Sequence, residues 1–366
     1  MVSIDELLQL MMEKGASDLH LTVDAPPILR IDGELIPTEY EKLGEDLCQR
    51  LIYSLLTDRQ KERFESTNEL DLSFGIKNIG RVRMNVFRQR GIVAASLRAI
   101  PNYFMTFEEL GLPPIVFDVV KLPAGLVLVT GPTGCGKTTT LASMINYINE
   151  HRSGHIVTIE DPIEYVHPHK NCIVSQREVG SDTSTFGEAL KHVFRQDPNF
   201  ILIGEMRDLE TIASALTIAE TGHLVFATLH TTDATQSVNR IIDVFPPYQQ
   251  PQIRSQLSFV LQAVFCQRLL PRATGKGRCL AVEVLRVTPG IRNMVREEKT
   301  EQIPSAMQAG GKFGMQTINW SLADLYTRRQ ITYAQALAES PDVEDLKRIC
   351  KKEEGMVTEM RTNRVR

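Results

Sequence analysis

The sequence predicts an α/β protein in which a smaller α+β domain precedes a P-loop domain built on a parallel sheet. The chain has 366 residues, more than one hydrophobic core usually serves, so two domains are expected. From Gly125 onward short apolar runs alternate with helical stretches, the pattern of parallel strands joined by crossover helices. The segment GPTGCGKTTT, Gly131 to Thr140, fits the phosphate-binding pattern G-x-x-x-x-G-K-[ST].

The first hundred residues mix helix and strand. Ser3 followed by Glu6 predicts a capping box and a short amphipathic helix. The dipeptide Asp32-Gly33 between two extended runs predicts a tight hairpin turn. A helical pattern from about 45 to 65 precedes the runs LDLSFGI and RVRMNVFRQRGIVAASLRAI, which alternate as antiparallel strands do. We therefore expect a small α+β, sensor-like domain over residues 1–100.

The remainder divides into a linker and a large domain. Four prolines interrupt the segment 101–123, so the regular structure of the first domain is expected to stop there, and the segment is expected to be a linker. In the domain 124–366, the runs LVLVT, IVTIE, FILIGE and LVFATLH predict buried parallel strands. Beyond Pro246 the pattern is mostly helical, in QIRSQLSFVLQAVFCQRLL and INWSLADLYTRRQ, with one strand-like interruption at RCLAVEVLRV. A helical region is expected from about residue 290, ending in a frayed basic tail.

Composition indicates a globular protein, with 42% hydrophobic and 23% charged residues. No run of about 18 apolar residues occurs, and acids stand where a signal peptide needs basic residues, so a cytoplasmic location is expected. A net charge of −4 gives no overall positive potential that would attract a phosphate backbone, so nucleic acid is not an expected partner. The six cysteines form no C-x-x-C pair, so neither a stable zinc site nor a disulfide framework is predicted.

The phosphate loop stands between a predicted strand and a predicted helix, the context that the motif requires. Its glycines allow backbone N–H groups to surround phosphate oxygens, Lys137 reaches the β and γ phosphates, and Thr138 ligates Mg²⁺. ATP and Mg²⁺ are the predicted cofactors. The residues expected to contact the nucleotide are Gly131, Pro132, Thr133, Gly134, Cys135, Gly136, Lys137, Thr138 and Thr139.

Acidic residues follow two of the predicted strands. Glu205 directly ends the run FILIGE, the usual place for the acid on the metal side, so it is paired with Thr138 as the Mg²⁺ site. Glu164 lies just beyond the run IVTIE and is predicted to be the general base that activates the attacking water. Asp161, before Pro162, is as readily a helix cap as a functional acid, and Glu160 is equally open.

Two histidines bracket the strand LVFATL. His223 and His230 are predicted to stand at the carboxyl edge of the sheet, where neutral imidazoles can sense the γ-phosphate. A lone histidine is more often a structural hydrogen-bond partner, and this alternative stays open for both His223 and His230. The absence of H-x-x-H and H-E-x-x-H spacing makes a protein-ligated metal unexpected.

Four segments, taken in order, resemble the ATPase superfamily of type II secretion and type IV pilus systems. They are GPTGCGKTTT, IVTIEDPIEYVH, FILIGEMRD and TGHLVFATLHTTDA, and the resemblance runs over most of the chain. It implies a PAS-like N-terminal domain, a RecA-like ATPase domain and a homo-hexameric ring. It also implies Glu164 as the catalytic glutamate, Glu205 as the Walker B acid, and His223 and His230 as the histidine box.

The same resemblance implies partners and further site residues. Members of the family close the nucleotide site with arginines from a neighbouring subunit, which points here to Arg81, Arg83 and Arg98. A planar, permanently charged donor suits the transferring phosphate oxygens. The implied partner is an inner-membrane platform protein at the pilus base, which would place the chain on the cytoplasmic side of that membrane.

Two features separate members of the family. The segments GASDLHL and GIRNMVRE resemble those of pilus-retraction members. In the second segment Gly290 stands where alanine is usual in those members. The arginines and the glutamate of that motif are kept as Arg292, Arg296 and Glu297. Assembly and secretion members commonly carry a tetracysteine zinc module, which this chain lacks. Retraction in twitching motility is therefore expected, with a pilus-assembly or type II secretion ATPase as the alternative. A RecA-like nucleic-acid translocase is a weaker alternative, because the chain has one tryptophan and no strongly basic segment before its tail.

Overall fold

The computed structural model describes residues 2–31, 34–76, 80–100 and 103–351. They form two compact units. The N-terminal unit comprises Met1–Tyr103 together with Pro162–Val166. The P-loop unit comprises Phe104–Asp161 and His167–Arg366.

An antiparallel sheet of six strands forms the N-terminal unit, in the order β3-β2-β1-β6-β5-β4. Its core combines one face of this sheet with the buried faces of three helices. The elements are α1 (Ile4–Glu13), β1 (Asp18–Leu21), β2 (Ile28–Ile31), β3 (Glu34–Pro37), α2 (Glu45–Tyr53), α3 (Asp58–Thr67), β4 (Glu69–Ile76), β5 (Gly80–Gln89) and β6 (Ile92–Ile100). This is the α+β arrangement that the sequence predicts.

Local signals set the boundaries in this unit. The capping box of α1 is present, with the Ser3 hydroxyl and the Glu6 carboxylate each accepting a backbone N–H bond. Ile31 pairs with Glu34 in the β2–β3 hairpin; the predicted turn residues Asp32 and Gly33 lie outside the described residues. The helical pattern from 45 to 65 is two helices, because the chain turns at Ser54–Leu56 and Thr57 caps a new start.

A sheet of seven strands forms the P-loop unit, in the order β13-β12-β7-β11-β10-β8-β9. All neighbouring strands are parallel except β12 and β13. The elements are α4 (Phe107–Leu110), α5 (Ile115–Val119), β7 (Gly125–Thr130), α6 (Lys137–His151), β8 (Gly154–Glu160), β9 (Cys172–Glu178), α7 (Phe186–Val193), β10 (Phe200–Ile203), α8 (Leu209–Glu220), β11 (Leu224–Leu229), α9 (Ala234–Asp243), α10 (Gln250–Val260), β12 (Leu261–Pro271), β13 (Arg278–Arg286), α11 (Pro289–Arg296), α12 (Ile303–Ala309), α13 (Ile318–Thr327) and α14 (Tyr333–Glu339).

Helices cover both faces of this sheet, and two apolar clusters lie on its opposite sides. The four strands β7, β8, β10 and β11 are buried along most or all of their length, which explains their continuous apolar sequence. Helix α6 has 15 residues. Within the described residues no helix is long and apolar enough to cross a membrane.

One expectation about this unit is wrong, and two features of it were not foreseen. The run Leu261–Pro271 is a strand, not part of a helix: it lies between β7 and β13, and an apolar run buried in a sheet resembles a buried helix in sequence. The edge strand β9 was not predicted from the sequence. The last strand of the N-terminal unit ends at Ile100, and the stretch expected to be a linker includes the helices α4 and α5, whose apolar side chains join the core of the P-loop unit.

All six cysteines are buried. Cys135 lies inside the phosphate loop and is 3% exposed. Burial raises the pKa of its thiol despite the nearby charge of Lys137.

Candidate functional site

The phosphate loop joins β7 to α6. Gly131, Gly134 and Gly136 have φ values of 139°, 79° and 90°, which L side chains rarely adopt. A Cβ at Gly131 would stand 2.4 Å from the carbonyl oxygen of Gln267 on β12, so glycine is required there by space as well. The loop therefore turns tightly and directs the chain into the N-terminus of α6, a ready site for an anion.

Lys137 is the first residue of α6 and is bent back over the loop. Its Nζ donates to the carbonyl oxygens of Gly131 at 2.8 Å and Pro132 at 3.1 Å. The ammonium is thus held above the loop, where it can neutralise phosphate oxygens. Thr138 follows in the first helical turn and is partly buried.

Gln267 is a supporting residue that the sequence analysis did not single out. It is 1% exposed, and its Nε2 donates to Thr140 Oγ1 at 2.7 Å. The Gln267 side chain thus contacts Thr140, and its carbonyl oxygen lies close to Gly131. Strand β12 therefore supports the segment Gly131 to Thr140 at both of its ends. A glutamine within the apolar run AVFCQRLL is the signal that could have revealed it.

The parallel register brings the ends of β7, β11, β10 and β8 to one carboxyl edge. Glu205 follows β10 and His230 follows β11 at this edge, as the phosphate loop follows β7. His230 Nε2 lies 3.1 Å from Glu205 Oε1, and Arg207 Nη2 lies 2.7 Å from Glu205 Oε2. The structure therefore brings the predicted Glu205 and His230 together.

Glu205 is held in its ionised form. Burial raises the pKa of its carboxyl, but the hydrogen bond and charge of Arg207, together with His230, outweigh burial and lower the pKa overall. A carboxylate fixed at the end of a buried strand is a suitable partner for the water shell of Mg²⁺. The side chain is 19% exposed, so it can be reached from solvent.

The expectation that His223 shares this edge is wrong. His223 precedes β11, whereas His230 follows it, so the two lie at opposite ends of a six-residue strand. His223 Nδ1 lies 3.1 Å from the carbonyl oxygen of Ile218 and 3.1 Å from Thr221 Oγ1, at the end of α8. This placement favours the structural alternative for His223.

The acids after β8 differ in their surroundings. Glu160 is 6% exposed and accepts from Thr158 Oγ1 at 2.6 Å and from Gln176 Nε2 at 3.2 Å, so it serves the packing of β8 against β9. Asp161 is exposed. Glu164 is half-buried and belongs to the segment Pro162–Val166 of the N-terminal unit.

The three predicted arginines share one face of the N-terminal sheet. Arg83 stands opposite Arg98 in the β5–β6 pair, and Arg81 is two residues from Arg83 on β5. Arg81 Nη2 donates to Ser73 Oγ at 2.6 Å. An arginine-bearing face of this kind can bind phosphate oxygens.

The residues present fit a magnesium nucleotide. Among the described residues, no group of three or more His, Cys, Asp and Glu side chains could hold a metal by itself. Mg²⁺ often keeps several waters and takes one or two protein ligands together with phosphate oxygens. Thr138 and Glu205 are the residues that would hold it.

The segment GIRNMVRE forms helix α11 and the residue after it. The guanidinium of Arg292 donates to the carbonyl oxygens of Ser258 and Phe259, the last turn of α10. Arg296 is exposed and donates to Asn293 Oδ1 at 2.6 Å within the same helix. Arg292 therefore has a structural task as the cap of α10.

Residues 1–337 match the family described as "Type II/IV secretion system protein". The chain belongs to this family. It is 48% identical over 335 residues to the "Type IV pilus retractation ATPase PilT" of Pseudomonas aeruginosa, covering 92% of this chain and 97% of that protein. It is 41% identical over 350 residues to the "Type IV pilus ATPase PilU" of the same organism, covering 96% and 92%.

A solved structure extends the comparison. The crystal structure of the pilus retraction motor PilT with bound ADP superposes with a TM-score of 0.90, at 49% sequence identity. The match covers 95% of this chain and 100% of that one. The mixed α/β fold, with an antiparallel N-terminal sheet and a largely parallel second sheet, is thus that of the secretion ATPase superfamily.

Proposed function

We propose that the chain is an ATP-hydrolysing motor subunit that drives retraction of type IV pili. The observation that carries the proposal is a complete phosphate loop beside the Glu205–His230 pair, in a chain nearly half identical to a retraction ATPase along almost its whole length. Retraction is the work that powers twitching motility.

Hydrolysis is a single in-line displacement. The loop N–H groups and Lys137 hold the β and γ phosphates of ATP, and His230 contacts the γ-phosphate. Glu164 accepts a proton from water as its oxygen bonds to the γ-phosphorus and the bond to the β,γ-bridging oxygen breaks, leaving ADP and phosphate. Thr138 and the water shell near Glu205 would hold Mg²⁺, which would supply positive charge beside the phosphate oxygens.

The site is completed in a homo-hexamer. Arg81, Arg83 and Arg98 of one subunit reach the nucleotide of its neighbour, where their fixed charges stabilise the transferring phosphoryl group. Closing and opening of the interface during the cycle does work on an inner-membrane platform protein at the pilus base. The chain acts on the cytoplasmic side of that membrane.

Single-turnover and steady-state ATP hydrolysis test the site assignments. Glu164→Gln should lower kcat by about 100-fold or more, since it removes the base, while nucleotide binding persists. Lys137→Ala should abolish turnover by removing charge compensation at the phosphates. Glu150→Gln, at the far end of α6, is the matched control and should keep wild-type turnover.

Turnover near wild type in Glu164→Gln would disprove the base assignment. A stimulation of hydrolysis by single- or double-stranded DNA would instead favour the nucleic-acid translocase.

A cellular experiment separates retraction from assembly. Replacing the gene by its Glu164→Gln form in the source bacterium should abolish twitching while cells keep pili on their surface. Loss of surface pili would show an assembly ATPase instead. Normal twitching with a failure of protein secretion would show a secretion ATPase.

A further inference from the structure

Two arginines on the N-terminal sheet are held by carboxylates of very different burial. Arg83 Nη2 lies 4.0 Å from Asp71 Oδ1, and the Asp71 side chain is 62% exposed. Arg98 Nε donates to Asp18 Oδ1 at 2.8 Å, and the Asp18 side chain is only 5% exposed. Exposed ion pairs contribute little to stability, whereas a buried carboxylate that loses its partner is left as an uncompensated charge, which is costly.

Asp18 sits among groups that hold it in place. Its Oδ2 accepts from Ser17 Oγ at 2.8 Å and lies 3.6 Å from Arg30 Nε. Asp18 stands opposite Arg30 on β2 and opposite Arg98 on β6. A carboxylate with this many partners has little freedom to move, so the arginine bound to it is also confined.

The bond to Asp18 uses only the Nε of Arg98. The two Nη groups are not part of it, and the Arg98 side chain is 66% exposed. Arginine offers five N–H donors in a planar fork, so one edge can be anchored while the other meets a second anion. An anchored guanidinium needs less reorganisation than a mobile one when charge develops on a phosphate.

His20 lies two residues from Asp18 on the same face of β1. Its buried Nε2 has no hydrogen-bond partner among the described residues. Burial lowers the pKa of His20, the Asp18 charge opposes this, and Arg30 and Arg98 add to the lowering. The imidazole is therefore neutral near pH 7 and does not compete with the arginines for the Asp18 carboxylate.

We propose that Asp18 is a positioning residue for ATP hydrolysis, which holds Arg98 by its Nε so that its Nη groups meet the γ-phosphate bound by the neighbouring subunit. This inference rests on the proposed role of Arg98. It gives the segment GASDLHL, which the nucleotide site itself does not use, a task in the reaction.

A double-mutant cycle in the full-length protein tests the proposal. Asp18→Asn should lower kcat about tenfold and leave KM for ATP within about twofold, since the arginine acts on transition-state charge. Arg98→Ala should lower kcat about 100-fold. Adding Asp18→Asn to Arg98→Ala should cause no further loss, because Asp18 acts through Arg98 alone.

The matched control is Asp58→Asn, an exposed aspartate of the N-terminal unit paired with Lys61, which should keep wild-type kcat. Thermal unfolding of every variant checks folding, and Asp18→Ser replaces Asp18→Asn if the amide prevents folding. The positioning role would be overturned if Asp18→Asn lowered kcat by the same factor in the wild-type protein and in Arg98→Ala. It would also be overturned if Asp18→Asn alone kept the wild-type kcat. If Arg98→Ala itself keeps full kcat, the arginine assignment fails and this inference fails with it.

Discussion

His230 and His223 should respond differently to the same substitution. His230→Gln removes an imidazole beside Glu205 and should lower kcat about tenfold, by loss of the contact that we propose it makes with the γ-phosphate. His223→Gln should keep kcat within about twofold and cost about 0.5–1.5 kcal/mol of stability, since it alters only hydrogen bonds at the end of α8. Steady-state turnover and thermal unfolding measure the two effects; equal losses of turnover would contradict the separation.

His167 should make the protein less stable in mild acid. It is 6% exposed, its ring stacks on Phe104 at 4.7 Å, and burial, aided by the charge of Lys170, lowers the pKa of His167 to about 4. The unfolded chain takes up this proton near pH 6.5, before the folded chain does, so stability falls as the pH drops from 6.5 toward 4. The loss is about 2–3 kcal/mol over that window.

Urea unfolding between pH 7 and pH 4.5 measures this dependence. His167→Phe keeps a ring against Phe104 but cannot titrate, so its stability should fall less steeply than that of the wild type. If the unfolding free energy of the two proteins fell equally steeply with decreasing pH, His167 would not be the cause of the acid sensitivity.

The phosphate loop could be predicted from the sequence because its signal is local. The spacing of Gly131, Gly136, Lys137 and Thr138 implies the loop without knowledge of any distant residue. Gln267 contacts this loop from 127 positions beyond Thr140, a pairing that no local pattern contains. Glu164, the base by prediction, stays a proposal, because its place in the Pro162–Val166 segment does not itself establish its chemistry.

Helices α10 and α11 are joined by a cap whose removal should be costly. Arg292→Ala leaves carbonyl oxygens at the end of α10 without a charged donor and should destabilise the P-loop unit by about 1.5–3 kcal/mol. Arg296→Ala, in the same segment, is the matched control and should change stability by less than about 0.5 kcal/mol. Chemical denaturation of both variants checks the difference; similar values would show that the α10 cap is unimportant.

The β12 strand shows why elements beyond Pro246 were harder to predict. Its apolar run follows α10 without a proline or glycine between them, so a single long helix satisfies the same pattern. Tertiary contacts decide between helix and strand here, because β12 pairs with β7 on one side and with β13 on the other. The strands β7, β10 and β11 are bounded by glycine or polar turn residues and were predictable for that reason.

The whole molecule should hydrolyse ATP only as an assembly if the arginines act on a neighbouring subunit. Specific activity should therefore rise with protein concentration, and the active species should have the mass of a ring by light scattering. Mixing Arg98→Ala subunits with Lys137→Ala subunits should restore part of the activity, because each supplies what the other lacks. A fully active monomer would exclude the shared site.

The burial of all six cysteines has a practical consequence for observing such a ring. Maleimide dyes react with accessible thiolates, and buried thiols react slowly. One cysteine introduced at an exposed position would therefore carry a dye selectively, without prior removal of the native cysteines. Fluorescence energy transfer between labelled subunits could then follow the order in which they move.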